Sequence, residues 1–217
     1  MSKKSKVFLQ ALLLVMIGLT LVGCGSKKND DEIDDDTPIV STGAYERGII
    51  DGDTYHSDYL GMTFKLPADH SFLTDSQIQQ LLGVGADYLD SDIDVSGVIY
   101  EFVSTNRTYE SMVTVMTQKV SYEITEEQII AHLDTAKTQI EANFAAQDAI
   151  ILDDISTTIN GVNMYGFGYM LKVEGMESYG YQYFYMKGKT FTSILIGFNG
   201  ETGEERIEDI LACFSFE

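Results

Sequence analysis

Apolar positions recur at helical spacing most clearly at Ile129, Leu133, Ala136, Ile140 and Phe144, which fall on one side of a helix. Thr125 stands just before them, with Gln128 three residues on. In that arrangement the hydroxyl accepts one free backbone N–H and the amide side chain returns to another. The same signal appears at Thr74/Gln77, opening a short helix that ends near Gly83. It appears again at Thr202/Glu205, opening a last helix with Ile207, Ile210, Leu211 and Phe214 on one side. The rest of this region alternates with a period of two, or runs apolar in short blocks bounded by turn residues. Residues 54–66 predict two short strands closed by Pro67. "VIYEFVS" and "SMVTVMTQKV" predict a hairpin turning around Asn106–Tyr109. "AIILDDISTTI" meets "VNMYGFGYMLKV" across Asn160-Gly161, a two-residue hairpin turn. "SYGYQYFYMK" and "TFTSILIGF" flank a turn at Gly188. Successive hairpins make a mostly antiparallel sheet of about seven or eight strands, with helices laid over it: an α+β, α/β/α sandwich.

The pattern changes character at the front. Lys3, Lys4 and Lys6 precede an apolar run from Val7 to Val22, interrupted by Gln10, Gly18 and Thr20. A spanning helix needs about 20 predominantly apolar residues and a secretory h-region about 7–15. This run is closer to the second, and small residues follow it: Gly23, Cys24, Gly25, Ser26. The stretch "LVGC", residues 21–24, resembles the lipobox of bacterial lipoproteins at all four positions. That resemblance implies diacylglyceryl transfer to the Cys24 thiol and cleavage before it, leaving residues 1–23 as the signal peptide. Two or more acyl chains hold stably where one is marginal.

Residues 25–44 carry six acids, two lysines and few aliphatic side chains, a composition that cannot bury enough surface to fold. They read as an acidic flexible tether between Cys24 and a single domain over residues 45–217. The formal charge is −20 for the whole chain, and loss of residues 1–23 removes three lysines and no acid, taking it to about −23. No basic stripe survives, so nucleic acid is not an expected partner. Such a surface is also repelled by anionic headgroups. Membrane affinity is therefore expected from acyl chains on Cys24, at the extracytoplasmic face of the cell membrane.

The segment "YLGMTFKLPADHSFLTDSQIQQLLG", residues 59–83, resembles one that recurs in uncharacterised lipoproteins of Gram-positive anaerobes. The later order of strand pair, long helix, four strands and final helix is similar to theirs. The resemblance implies a PsbP-like sandwich, a fold whose members act mainly as assembly or binding modules. Its motifs are structural, so it assigns no functional residue.

Four groupings carry candidate chemistry. Tyr179, Tyr181, Tyr183 and Tyr185 alternate along one strand and share a face; Tyr165, Phe167 and Tyr169 share a face of the preceding one. Together they are read either as a core aromatic ladder under a helix or as one candidate binding face for an envelope protein, a peptide or a glycan, with Gly166, Gly168 and Gly180 on the opposite side, where a helix approaches closely. Asp90, Asp92, Asp94 and Glu101 stand at positions 1, 3, 5 and 12 of a calcium-loop spacing, though Val95 replaces the turn glycine. This is the cofactor expectation: none, or calcium. His56 lies near Asp51, Asp53 and Asp58 and would need a further ligand to hold a metal. His70 and His132 stand apart, and HExxH is absent. Cys213, beside Leu211 and Phe214, reads as a small buried hydrophobe. There is no G-x-S-x-G elbow and no dinucleotide loop. The leading expectation is thus a membrane-anchored binding or assembly module. The alternatives are a calcium- or metal-dependent envelope hydrolase and a solute-binding lipoprotein, the latter expected to show two doubly wound lobes.

Overall fold

A computed structural model describes residues 45–81, 98–120, 123–173, 175–200 and 204–217. The LVGC stretch, the acidic tether, Asp90, Asp92, Asp94 and the Thr202 cap lie outside the described residues. In chain order the strands are β1 (Ile49–Asp51), β2 (Thr54–Ser57), β3 (Met62–Lys65), β4 (His70–Phe72), β5 (Val98–Asn106), β6 (Ser111–Lys119), β7 (Ile150–Ile159), β8 (Val162–Val173), β9 (Met176–Lys187), β10 (Thr190–Asn199) and β11 (Phe214–Phe216). Helix α1 covers residues 75–81, α2 is Glu126–Asn143 and α3 is Glu204–Leu211.

The local signals form as chemistry requires. Thr125 accepts from the Gln128 N–H while the Gln128 side chain accepts from the Thr125 N–H, closing the box that starts α2. Thr74 and Gln77 do the same at α1. Asn160 and Gly161 take φ of 48° and 84°, the doubly positive turn whose twist matches its flanking strands. Asn106 turns the β5–β6 hairpin differently: its side-chain oxygen accepts from the N–H groups of Glu110 and Ser111.

The larger sheet has seven strands in the order β4-β5-β6-β10-β9-β8-β7. Every pairing among the described residues is antiparallel, so the described residues do not form the doubly wound lobes expected of a solute receptor. One face lies under α2 and α1, where Ile129, Leu133, Ala136, Ile140 and Phe144 meet Met112, Met116, Phe167, Tyr169 and Phe184. The other face is not covered by helices alone. A second sheet of four strands, β1-β2-β3-β11, packs there beside α3. Stacked Phe64 and Phe102 join the two sheets at 4.7 Å.

The α+β sandwich therefore stands, with a layer that periodicity does not show. Phe214 was expected on the last helix; it belongs instead to β11, pairing with Phe64 of β3. Strands of three residues give no legible alternation, and β11 exists only because β3 offers it an edge. At the centre, β10 is buried along almost its whole length. The seven-stranded sheet ends on β7, whose outer edge has no strand partner among the described residues.

Candidate functional site

The register of β8 against β9 decides the fate of the aromatic residues. Tyr165, Phe167 and Tyr169 stand opposite Phe184, Gln182 and Gly180, while Gly166 and Gly168 stand opposite Tyr183 and Tyr181. Paired residues share a face. The single aromatic face expected from the sequence is therefore two faces, on opposite sides of the sheet. Tyr165, Phe167 and Tyr169 turn toward α2, and there Phe167 and Tyr169 are wholly buried. Tyr165 donates to Glu126 at the start of α2. The set on β9 turns toward the smaller sheet and α3: Tyr185 packs edge-on against Phe216 at 5.3 Å.

The glycines also have a different role. No helix approaches through them. A side chain at Gly180 would begin 2.2 Å from the Tyr169 ring, and one at Gly166 would strike the Gln182 carbonyl at 1.8 Å. Gly180 is the space into which Tyr169 lays its ring, and Gly168 lies in contact distance of Tyr181 and Leu152.

The β9 tyrosines differ in surroundings. Tyr185 is closed in. Tyr181 and Tyr183 form the floor of an open cleft of about 560 Å³, with Gly168 between them and β7. Leu152, Asp153, Asp154, Ile155 and Thr157 of β7 make one wall, and Ile207, Glu208 and Leu211 of α3 make the other. The wall is possible because β7 bulges: its register against β8 shifts between Ile151 and Asp154, which frees Leu152 and Asp153 from the regular alternation. Asp154 is turned to the α2 side, where Lys137 binds it. Tyr183 is only 4% exposed. Its hydroxyl makes no hydrogen bond among the described residues, and burial, with Tyr181 and Glu208 nearby, pushes its pKa up to about 12. The cleft thus offers aromatic faces, aliphatic walls, a neutral phenol and carboxylates.

Sequence reading found the two tyrosines but not Asp153 or Glu208. The usable signal was the pair Asp153-Asp154, which interrupts an otherwise apolar and alternating run. Glu208 carried no signal, since only the docking of α3 brings it to β7.

Of the calcium-loop spacing, Glu101 alone lies among the described residues. It is the extra residue at a bulge in β5, between Tyr100 and Phe102, and is wholly buried. Tyr45 and Tyr55 donate to its carboxylate, as do Thr117 Oγ1 at 2.8 Å and the Gly48 N–H at 3.3 Å. Arg47 adds a bond to its carbonyl at 3.0 Å and an ion pair with Asp75 at 2.7 Å. Its side chain is thereby engaged in fastening residues 45–48 to the larger sheet.

His56 is exposed, with Nδ1 against Thr63 Oγ1 at 2.9 Å and Nε2 against Asp58 at 2.7 Å. Among the described residues no three His, Cys, Asp or Glu side chains come together as a metal site. His70 is partly buried beside Ser104, and burial lowers its pKa. His132 packs edge-on to Phe184 and Phe191. Cys213 is half-buried with a free thiol, its Sγ 3.4 Å from the Asp209 carbonyl, and burial raises its pKa. No helix among the described residues is long and apolar enough to cross a membrane.

No protein-family model matches this sequence, and no curated protein matches it. Solved structures do. A Bacteroides thetaiotaomicron protein is similar with a TM-score of 0.43 and 10% identity over 77% of this chain and 49% of its own, so the chain spans about half of that protein's length. LpqN of Mycobacterium tuberculosis, involved in cell envelope biogenesis, gives 0.37 and 9% over 71% of this chain and 82% of its own. The cyanobacterial PsbP protein of Synechocystis, CyanoP, gives 0.50 and 10% over 83% of this chain and 100% of its own. At such identities a likeness is one of fold, and with the layer order described above the CyanoP match makes this domain a PsbP-like α+β sandwich.

Proposed function

We propose that this chain is a lipid-anchored, extracytoplasmic module that binds or assembles with a partner at the outer face of the cell membrane. On this reading Cys24 carries the acyl chains and residues 25–44 are the tether. The domain docks its partner in the cleft over Tyr181 and Tyr183. The observation that carries the docking site is the cleft itself, where a partly exposed Tyr181 lies on the floor between walls of β7 and α3. Tyr suits this use, having an apolar body and a polar handle. The LVGC stretch and the acidic composition after it support the anchor. No reaction is assigned, because the cleft pairs no nucleophile with a base.

The test places a photoreactive p-benzoylphenylalanine at Tyr181 of the full-length chain in its native host. A cross-link to one discrete envelope component, lost when the probe is moved to exposed Tyr59, which does not line the cleft, is the expected result. Equal and diffuse labelling from both positions would reject the cleft as a docking site.

A further inference from the structure

We propose that the cleft takes an extended, basic segment of a protein partner, which adds to the free edge of β7 as a further strand and seats a lysine or arginine side chain against Asp153, Glu208 and Tyr183. This rests on the docking reading above and adds the partner's chemistry.

Four observations converge on it. First, β7 is the last strand of its sheet, ten residues long, and its outer backbone groups pair with no strand among the described residues. An edge of that length is a template for another chain. Second, six consecutive residues of that strand, 152–157, line the cleft, so a strand added to β7 would turn alternate side chains toward the cleft's β7 wall, where Asp153 stands. Gly168 has no side chain to obstruct the floor.

Third, the charge has one sign. The titratable lining comprises Asp153, Asp154, Glu208, Tyr181 and Tyr183, with no lysine, arginine or histidine. From α2, Lys137 faces Asp154 and also Asp134. Asp153 and Glu208 make no ion pair among the described residues. Arg206, on α3, lies over the Phe198 ring at 4.8 Å. An incoming cation meets carboxylates at the rim and aromatic faces at the floor, a combination that favours it over a neutral group. Fourth, Tyr183 is only 4% exposed and lines the cleft, its hydroxyl making no hydrogen bond among the described residues. That oxygen is open to accept from an ammonium or guanidinium donor.

The same charge argues against other occupants. A second copy brings a formal −20 of its own. A small diamine would satisfy the carboxylates but leave the β7 edge unpaired.

The experiment uses the full-length chain in nanodiscs and a fluorescent peptide of about eight residues, alternating lysine and valine, read by anisotropy. Saturable binding is expected, weakening as salt rises from about 50 to about 500 mM. The glutamate-for-lysine peptide should not bind. N-methylation of alternate peptide bonds should abolish binding, because it removes the donors that a strand edge needs. Asp153→Asn with Glu208→Gln should weaken it about tenfold, with thermal melts confirming an intact fold. Tyr183→Phe should weaken it less, leaving the salt dependence unchanged. Equal binding of the acidic peptide would overturn the basic preference. Indifference to N-methylation would overturn strand addition. Full competition by 1,5-diaminopentane at the peptide's own affinity would make a free amine the ligand and overturn the proposal. If no peptide binds while Tyr181 still cross-links to one component, the docking site stands and the partner chemistry proposed here falls.

Discussion

Glu101 holds an ionisable group where water does not reach, and its consequences are measurable. Burial raises its pKa above 4.5, against the pull of its Thr117 and Gly48 bonds. The folded chain thus keeps this proton to a higher pH than the unfolded chain does. Its stabilisation is complete below the unfolded value and declines as pH rises through the folded one. Glu101→Gln removes that proton exchange. Urea melts across pH 4–8 should show the variant with a flatter profile, gaining on the parent chain as pH rises. Parallel profiles would mean that Glu101 titrates as an ordinary carboxyl. Gly180 makes a steric claim at the same scale. A methyl there would begin 2.2 Å from the Tyr169 ring, and that ring is wholly buried. Gly180→Ala should therefore cost about 1–3 kcal/mol, seen as a lower urea midpoint with the slope unchanged. Tyr169→Phe should cost little or even stabilise, because the buried hydroxyl it removes has no partner.

At the scale of elements, α2 is the piece that closes one face of the larger sheet, and its start is fixed by a reciprocal pair of side-chain bonds. Thr125→Ala should lower stability by about 1 kcal/mol, and Thr125→Ser should restore most of it. Chemical denaturation followed by circular dichroism decides this, and an unchanged midpoint would show that packing alone sets the helix start. The strand elements divide by length. Strands β5 to β10 carry enough alternation and turn chemistry to be found from the chain alone. β1, β4 and β11 have three residues each, and each is held only by the neighbour it pairs with. The β7 bulge is intermediate: two adjacent acids mark the break in alternation, but not the side on which each would emerge.

For the molecule as a whole, residues 45–48 are fastened to the sandwich by Glu101 and Asp75. The cleft lies elsewhere, at the β7 and α3 end, so the proposed anchoring and docking would use separate surfaces. The anchor makes a stoichiometric prediction. The sequence has two cysteines, and Cys213 carries a free thiol. Protein purified from its native membranes and unfolded in denaturant should react with one equivalent of a thiol reagent, not two. Cys24→Ala should move the chain from the membrane fraction, and two reactive thiols in the native product would remove the lipid from the account.

Local chemistry was readable in the chain: the helix starts at Thr74 and Thr125, the Asn160-Gly161 turn, the strands long enough to alternate, and an aromatic character at Tyr181 and Tyr183. Each depends on residues within a few positions of one another, where stereochemistry acts without help. Tertiary structure alone decided the rest. Which face each tyrosine takes depends on the register of β8 against β9, and a shift of one residue would exchange the faces. Tyr169 lies under α2, and Glu208 meets β7, because distant segments were brought together. β11 is a strand because β3 stands beside it. The alternation of a single strand says which residues share a side, but only its pairing says which side that is.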